Sequence, residues 1–261
     1  MTTLKNILIS GLCLSSLFFA QSCGGNSAPK NSASEKDNQK DFIALFDQNS
    51  LEGWEGDSTI WKMNNGILTG EIKEGGEPLK NNTFLIWKGG EPEDFILKAK
   101  FKISELGNSG INYRSDRFTQ IPFALAGYQA DIDGQKNYTG QNYEERKRTT
   151  LAYRGQRTVI EQFKDGEIAE SRGNAWSNMS VLDTIGNLEA LKDAIKSEDW
   201  NEIEIVAEGY KLSHYVNGKL MSEVIDNDSK NRNNKGLIGM QVHVGPPMKV
   251  EYKDMYIKIL K

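Results

Sequence analysis

The stretch GYQADIDG, residues 127–134, sets Asp131 and Asp133 two positions apart in a run whose composition suits a strand. Side chains alternate along a strand, so Gln129, Asp131 and Asp133 share one face while Tyr128, Ala130 and Ile132 take the other. Carboxylates presented in this way can move protons, bind hydroxyl groups or coordinate a metal. The plain alternative is a solvated strand face. LIGMQVHVG (237–245) repeats the pattern by grouping Gln241 with His243 opposite Met240, Val242 and Val244. His243 is therefore the leading site histidine, with a structural histidine near a sheet edge as its alternative. His214 alternates with Leu212 and Val216, which points to packing in the core.

Other polar residues group near these runs. In GINYRS, Asn112 and Arg114 point together, and Arg114 can either clamp a substrate oxygen or form a strand-surface ion pair. Asn108, in Gly-Asn-Ser-Gly, is a substrate ligand or simply a turn residue. YEERKR brings Glu144, Glu145 and Arg146 soon after the acidic strand. Spacing does not decide between the two glutamates, because their side chains diverge only if the chain is extended there. Among the five tryptophans Trp176, in SRGNAWSN, is the one placed for stacking on a sugar ring.

The elements that must position these residues are mostly strands. FILKAKFKI (95–103), GINYRS (110–115), GYQADID (127–133), WNEIEIVAEG (200–209), KLSHYVNG (211–218), LIGMQVHVG (237–245) and VEYKDMYIKIL (250–260) all show period-two patterning. Asn217-Gly218 and Asn65-Gly66 are hairpin signals, since Asn-Gly supplies the positive φ angles of a type I′ turn. The one helical signal spans residues 180–200, with a first piece ending near Gly186 and a second running from about Leu188 to Ile195. Many strands and Gly-rich turns over about 220 residues predict an all-β sandwich or jelly roll with one short helical excursion.

The N-terminus carries different information. Lys5 precedes an apolar stretch from Ile7 to Ala20, which runs into Ala-Gln-Ser-Cys-Gly at positions 20–24. This reads as a lipoprotein signal peptide over residues 1–22, with Cys23 as the lipidated residue and the cell envelope as destination, on the periplasmic or outer-membrane face. Residues 24–40 hold almost no large apolar side chain, and with Cys23 they form a flexible tether. The remaining 41–261 reads as one domain. Cys13 and Cys23 are the two cysteines, so disulfides, zinc-thiolate sites and cysteine nucleophiles are not expected in that domain. Removal of Lys5 takes the formal charge from −4 to −5. No basic stripe suggests a nucleic-acid partner.

FDQNSLEGWEG, NNGILTGE, NNTFLIWKGGEPEDFILKAKFKI, GNSGINYRS, GYQADID, YEER, RGQRTVI, WNEIEIVAEG, HYVNG and GLIGMQVHVGPPMKVEYKDMYIKIL occur in this order. With these segments the chain closely resembles the 3-keto-disaccharide hydrolase family, across roughly residues 41–261. The resemblance implies a concanavalin A-like, laminin G-like jelly-roll β-sandwich of two antiparallel sheets. It also implies activity on glycosides whose C3 hydroxyl a separate sugar 3-dehydrogenase has oxidised. A C3 ketone acidifies the C2 proton, so a base at C2 can drive loss of the C1 substituent, and water can then add to the enone. Such a site needs a base, an acid or water positioner, and groups that stabilise the enolate, a role a divalent metal can also fill. The candidate catalytic residues are Asp131, Glu144, Glu145 and His243. Asn108, Arg114, Gln129, Asp133, Arg146, Trp176 and Gln241 are the candidate substrate ligands.

GYQADIDG also has the spacing of the Glu-x-Asp-x-Glu strand of family 16 glycoside hydrolases, but Gln129 stands where that pattern has its nucleophile. An amide cannot form the glycosyl ester of a retaining mechanism. Phosphate-loop and nucleophile-elbow motifs do not occur either. Two functions remain: an envelope-anchored enzyme cleaving 3-keto-glycosides by elimination and hydration or by hydrolysis, and a catalytically silent carbohydrate-binding module.

Overall fold

The computed structural model describes residues 41–47 and 49–260; the signal peptide, the tether and Cys23 lie outside the described residues. In chain order the strands are β1 (Ile43–Ala44), β2 (Trp54–Glu55), β3 (Trp61–Asn64), β4 (Ile67–Ile72), β5 (Thr83–Trp87), β6 (Phe95–Ile103), β7 (Asn108–Arg117), β8 (Leu125–Asp133), β9 (Asn142–Glu145) and β10 (Thr149–Ala152). They continue as β11 (Gln156–Ile160), β12 (Ser171–Arg172), β13 (Ala175–Trp176), β14 (Met179–Thr184), β15 (Asn201–Glu208), β16 (Lys211–Val216), β17 (Lys219–Asp226), β18 (Leu237–Val242) and β19 (Met248–Ile259). Helix α1, Leu188–Asp193, interrupts them between β14 and β15.

Two sheets make a jelly-roll sandwich. The nine-stranded sheet runs β12-β13-β10-β9-β8-β7-β18-β5-β2, and the ten-stranded one runs β14-β11-β17-β16-β15-β6-β19-β4-β3 with β1 added on β19. The pairing is antiparallel except at β11–β17 and β10–β13, which are parallel. The first exception follows from connectivity: β10 and β11 belong to different sheets, so the chain crosses the sandwich between them and meets β17 in the parallel sense.

Alternation drives the layers together. In β6 every second residue of FILKAKFKI is buried, from Phe95 through Leu97, Ala99 and Phe101 to Ile103. Burying side chains as large as Phe or Leu contributes about 2 kcal/mol each. They meet Ile111, Tyr113, Tyr128, Ala130, Ile132, Met240 and Val242 from the opposing sheet in one core. Both Asn-Gly hairpins form: Asn65 and Gly66 have φ of 49° and 74°, Asn217 and Gly218 have 48° and 73°.

The helical expectation holds only for its second half. Asn187 caps α1 by accepting from the Ala190 N–H. Residues 179–184 instead form the edge strand β14 on β11. Val181, Leu182 and Thr184 in this stretch are exposed, so no buried apolar stripe exists to favour a helix.

Candidate active site

The outer face of the nine-stranded sheet carries a cavity of about 530 Å³. Its floor follows from strand alternation. Tyr128, Ala130 and Ile132 of β8 point into the core, which turns Gln129 and Asp131 outward to the cavity. On β9, Gln129 pairs with Tyr143 and Gly127 with Glu145, so Tyr143 and Glu145 join that outward face. Asn108 at the start of β7 and His243 just past β18 complete one side, joined by a His243 N–H bond to the Asn108 carbonyl of 3.2 Å.

Asp131 is the most perturbed acid on this floor. It is 7% exposed, and it accepts from Gln129 Nε2 at 2.6 Å through Oδ1 and from Gln141 Nε2 through Oδ2. Burial pushes its carboxyl up to about 7 against the two amide bonds, and the nearby Asp133 and Glu145 charges act in the same sense as burial. Gln129 fits beside it because β7 has Gly110 opposite Asp131. A Cβ at Gly110 would lie 2.6 Å from Gln129 Cγ and 2.9 Å from its Nε2.

Glu145 is the second acid. Its Oε1 accepts from Asn82 Nδ2 at 3.0 Å and its Oε2 from Gln241 Nε2 at 3.4 Å. Burial again raises its pKa, opposed by Asn82, Arg146, His243 and Gln241. Asn82 also accepts the Val244 N–H at 2.9 Å, and so ties Glu145 to the His243 loop. His243 Nδ1 bonds the Val244 carbonyl at 2.5 Å. A carbonyl only accepts, so Nδ1 carries the hydrogen in this contact. Arg146 has a left-handed φ of 56°, places its guanidinium 4.9 Å from the Phe118 ring and sets Nε 3.6 Å from Glu145 Oε1. Lys80 adds a second cation to the wall.

Five of the residues expected at the site do not line the cavity. Glu144 points through the sheet into the core, where it binds the buried Arg148. Arg114, at a bulge with φ of 45°, turns away to donate to the Glu93 and Gly209 carbonyls and to Asp94. Asp133, at the end of β8, closes a turn by accepting the backbone N–H groups of Asn137, Tyr138 and Thr139. Trp176 packs edge-on against Phe163, with ring centroids 5.4 Å apart, and belongs to the core. Gln241 is fully buried behind Glu145, where it supports that carboxylate. Asp131, Glu145, His243, Asn108, Gln129 and Arg146 do meet at the cavity.

The sequence reading missed Lys80, Asn81, Asn82, Gln141 and Tyr143, and, from the covering loops, Tyr138 and Asn174. Gln141, Tyr143 and Glu145 alternate along GQNYEER, a signal that would have found two of them.

His214 holds the floor from below. Its Nδ1 donates to the Gln141 carbonyl at 3.1 Å, and its Nε2 accepts the Tyr113 hydroxyl at 2.9 Å. Burial depresses its pKa to about 4, so it is a neutral structural group joining the two sheets under Gln141. Among the described residues no three of His, Cys, Asp and Glu gather to hold a metal ion. Both Asp131 oxygens already face amide N–H groups, which repel a cation from the same positions. The floor does not fit a metal.

The protein is a jelly-roll sandwich with an amide-rich cavity and two buried acids on one sheet face. The chain belongs to the family described as the 3-keto-alpha-glucoside-1,2-lyase-like domain, which matches residues 41–258. Two crystal structures of candidate glycosyl hydrolases from Parabacteroides distasonis ATCC 8503 share the fold. The one at 2.00 Å is 18% identical with a TM-score of 0.52, covering 84% of this chain and 99% of its own. The other, at 1.70 Å, is 15% identical with a TM-score of 0.54, covering 88% and 98%. No curated protein matches the chain.

Proposed function

We propose that the protein cleaves 3-keto-glycosides by elimination of the C1 substituent, followed by hydration of the product. The observation that carries this reading is the pair of buried acids, Asp131 and Glu145, on one cavity of a domain in this family. A carboxylate with a pKa near 7 is a stronger base than an ordinary aspartate and still partly ionised at neutral pH. Asp131 removes the C2 proton, and the C–H electron pair passes to the C3 oxygen as an enolate. Arg146 and Lys80 offset that negative charge. The enolate then collapses, C3=O re-forms, a C1=C2 bond appears and the C1–O bond breaks. His243, entering the step as the imidazolium beside Glu145, gives its Nε2 proton to the leaving oxygen and is left neutral with its hydrogen on Nδ1. Water adds at C1 of the enone in a second step.

Anchoring by lipid on Cys23 would place this chemistry at the cell envelope, downstream of a sugar 3-dehydrogenase. The test is release of the leaving group from a 3-keto-glucoside and from the parent glucoside, using the purified domain 41–261 and its Asp131→Asn and His243→Ala variants. Release from the keto substrate alone, lost in both variants, is the expected result. Binding without release from either substrate overturns the enzyme reading in favour of a binding module. Release from the parent glucoside alone points to conventional glycosidase chemistry.

A further inference from the structure

Both oxygens of Asp131 face amide N–H groups, from Gln129 at 2.6 Å and from Gln141. That arrangement suits the carboxylate and leaves the carboxylic acid without an acceptor for its own hydrogen. Gln129, meanwhile, has its Oε1 buried with no partner. The same side chain lies over Gly110, where the missing Cβ leaves the space its amide occupies.

We propose that Gln129 is a positioning residue whose amide turns over as Asp131 gains and loses its proton, donating through Nε2 to the carboxylate and accepting through Oε1 from the acid. The turn conserves the hydrogen bond between the two residues in both states, and each state leaves one amide atom of Gln129 unpaired. In the unturned acid, by contrast, an acid hydrogen on Oδ1 would meet an N–H and Oε1 would stay unpaired, so neither would have a protein partner. Gln129 thus keeps Asp131 in one place through a cycle in which its charge changes. The role in turnover rests on the proposed elimination, while the turn itself is a property of the ligand-free protein.

Selective isotope labelling of glutamine side-chain amides and aspartate carboxyls tests it without substrate, using NMR between pH 5 and 9. Asp131→Asn and Gln129→Met spectra assign the two resonances. The expected result is that the Gln129 amide signals titrate with the midpoint of the Asp131 carboxyl, and that Gly110→Ala, which crowds the amide, abolishes this co-titration. Gln129 signals that stay constant while Asp131 titrates, or a response at Gln141 alone, overturn the proposal. With a 3-keto-glucoside, Gln129→Met should lower kcat by about tenfold with KM within about twofold, and move the pH optimum. If co-titration holds and no substrate turns over, the amide turn stands and the elimination reading is what fails.

Discussion

Glu144 and Glu145 are neighbours in the chain and end on opposite faces of one sheet. Glu145 lines the cavity, while Glu144 is fully buried against Arg148, which also binds Asp226 at 2.7 Å. The extended backbone of β9 makes this division, because successive side chains of a strand must point apart.

Glu145→Gln should therefore keep the fold and lose most turnover of a 3-keto-glucoside. Glu144→Gln should do the reverse. It leaves part of the Arg148 charge uncompensated in the core and should lower unfolding stability by about 3 kcal/mol, with kcat of the folded fraction nearly unchanged. Chemical denaturation and steady-state kinetics on the two variants separate these outcomes.

Asp131 gives a pH signature in stability. Its folded pKa, about 7, lies above the ordinary value of 3.8, so the native state holds a proton that the unfolded state releases. The unfolded chain binds fewer protons between about pH 4 and pH 7, and stability contributed by this group falls across that window as pH rises. Relative to Asp131→Asn, the wild type should lose on the order of 4 kcal/mol from the bottom of the window to the top, and nothing further above it. Denaturation of both proteins at pH 4, 5.5, 7 and 8 measures the difference; a constant offset would rule out the raised pKa.

Arg114→Ala should act on the fold alone. It removes three part-buried hydrogen bonds that join the β7 bulge to Glu93, Asp94 and Gly209. Tm should drop, while kcat/KM measured well below the transition should stay within about twofold of wild type. A selective rise in KM would return Arg114 to the binding site.

His214→Phe should weaken turnover indirectly. The ring would still fill space, but the Gln141 carbonyl would keep only the Asp131 N–H and the Tyr113 hydroxyl only Asn142. Stability should fall by about 2 kcal/mol. The pH profile of activity between pH 5 and 8 should keep its wild-type shape in His214→Phe, because the native ring is neutral there.

The fold was legible wherever one face was apolar. FILKAKFKI and VEYKDMYIKIL read as strands, and both Asn-Gly turns followed from their φ requirement. Alternation also placed Gln129, Asp131, Gln241 and His243 on polar faces. It failed at Asp133 and Arg114 for local reasons: Asp133 is the last residue of its strand and serves a turn, and Arg114 sits on a bulge that breaks the period. Trp176 misled because its neighbours in sequence are polar while its contact, Phe163, lies 13 positions away. Asn82 escaped notice because it lies just before its strand and its importance comes only from the acid it touches, whereas the alternation through Gln141 was there to be read.

Arg148 is clasped by Glu144 and Asp226, with Asp228 3.7 Å away and the Tyr128 hydroxyl on the same Asp226 oxygen. Losing any one member strands the others in the core, whereas replacing the set together by apolar residues need not. Under random mutation these positions form a joint locus: single changes are purged, and the group drifts only in concert. Its members should therefore vary together among relatives, independently of the neighbouring Glu145 on the opposite face.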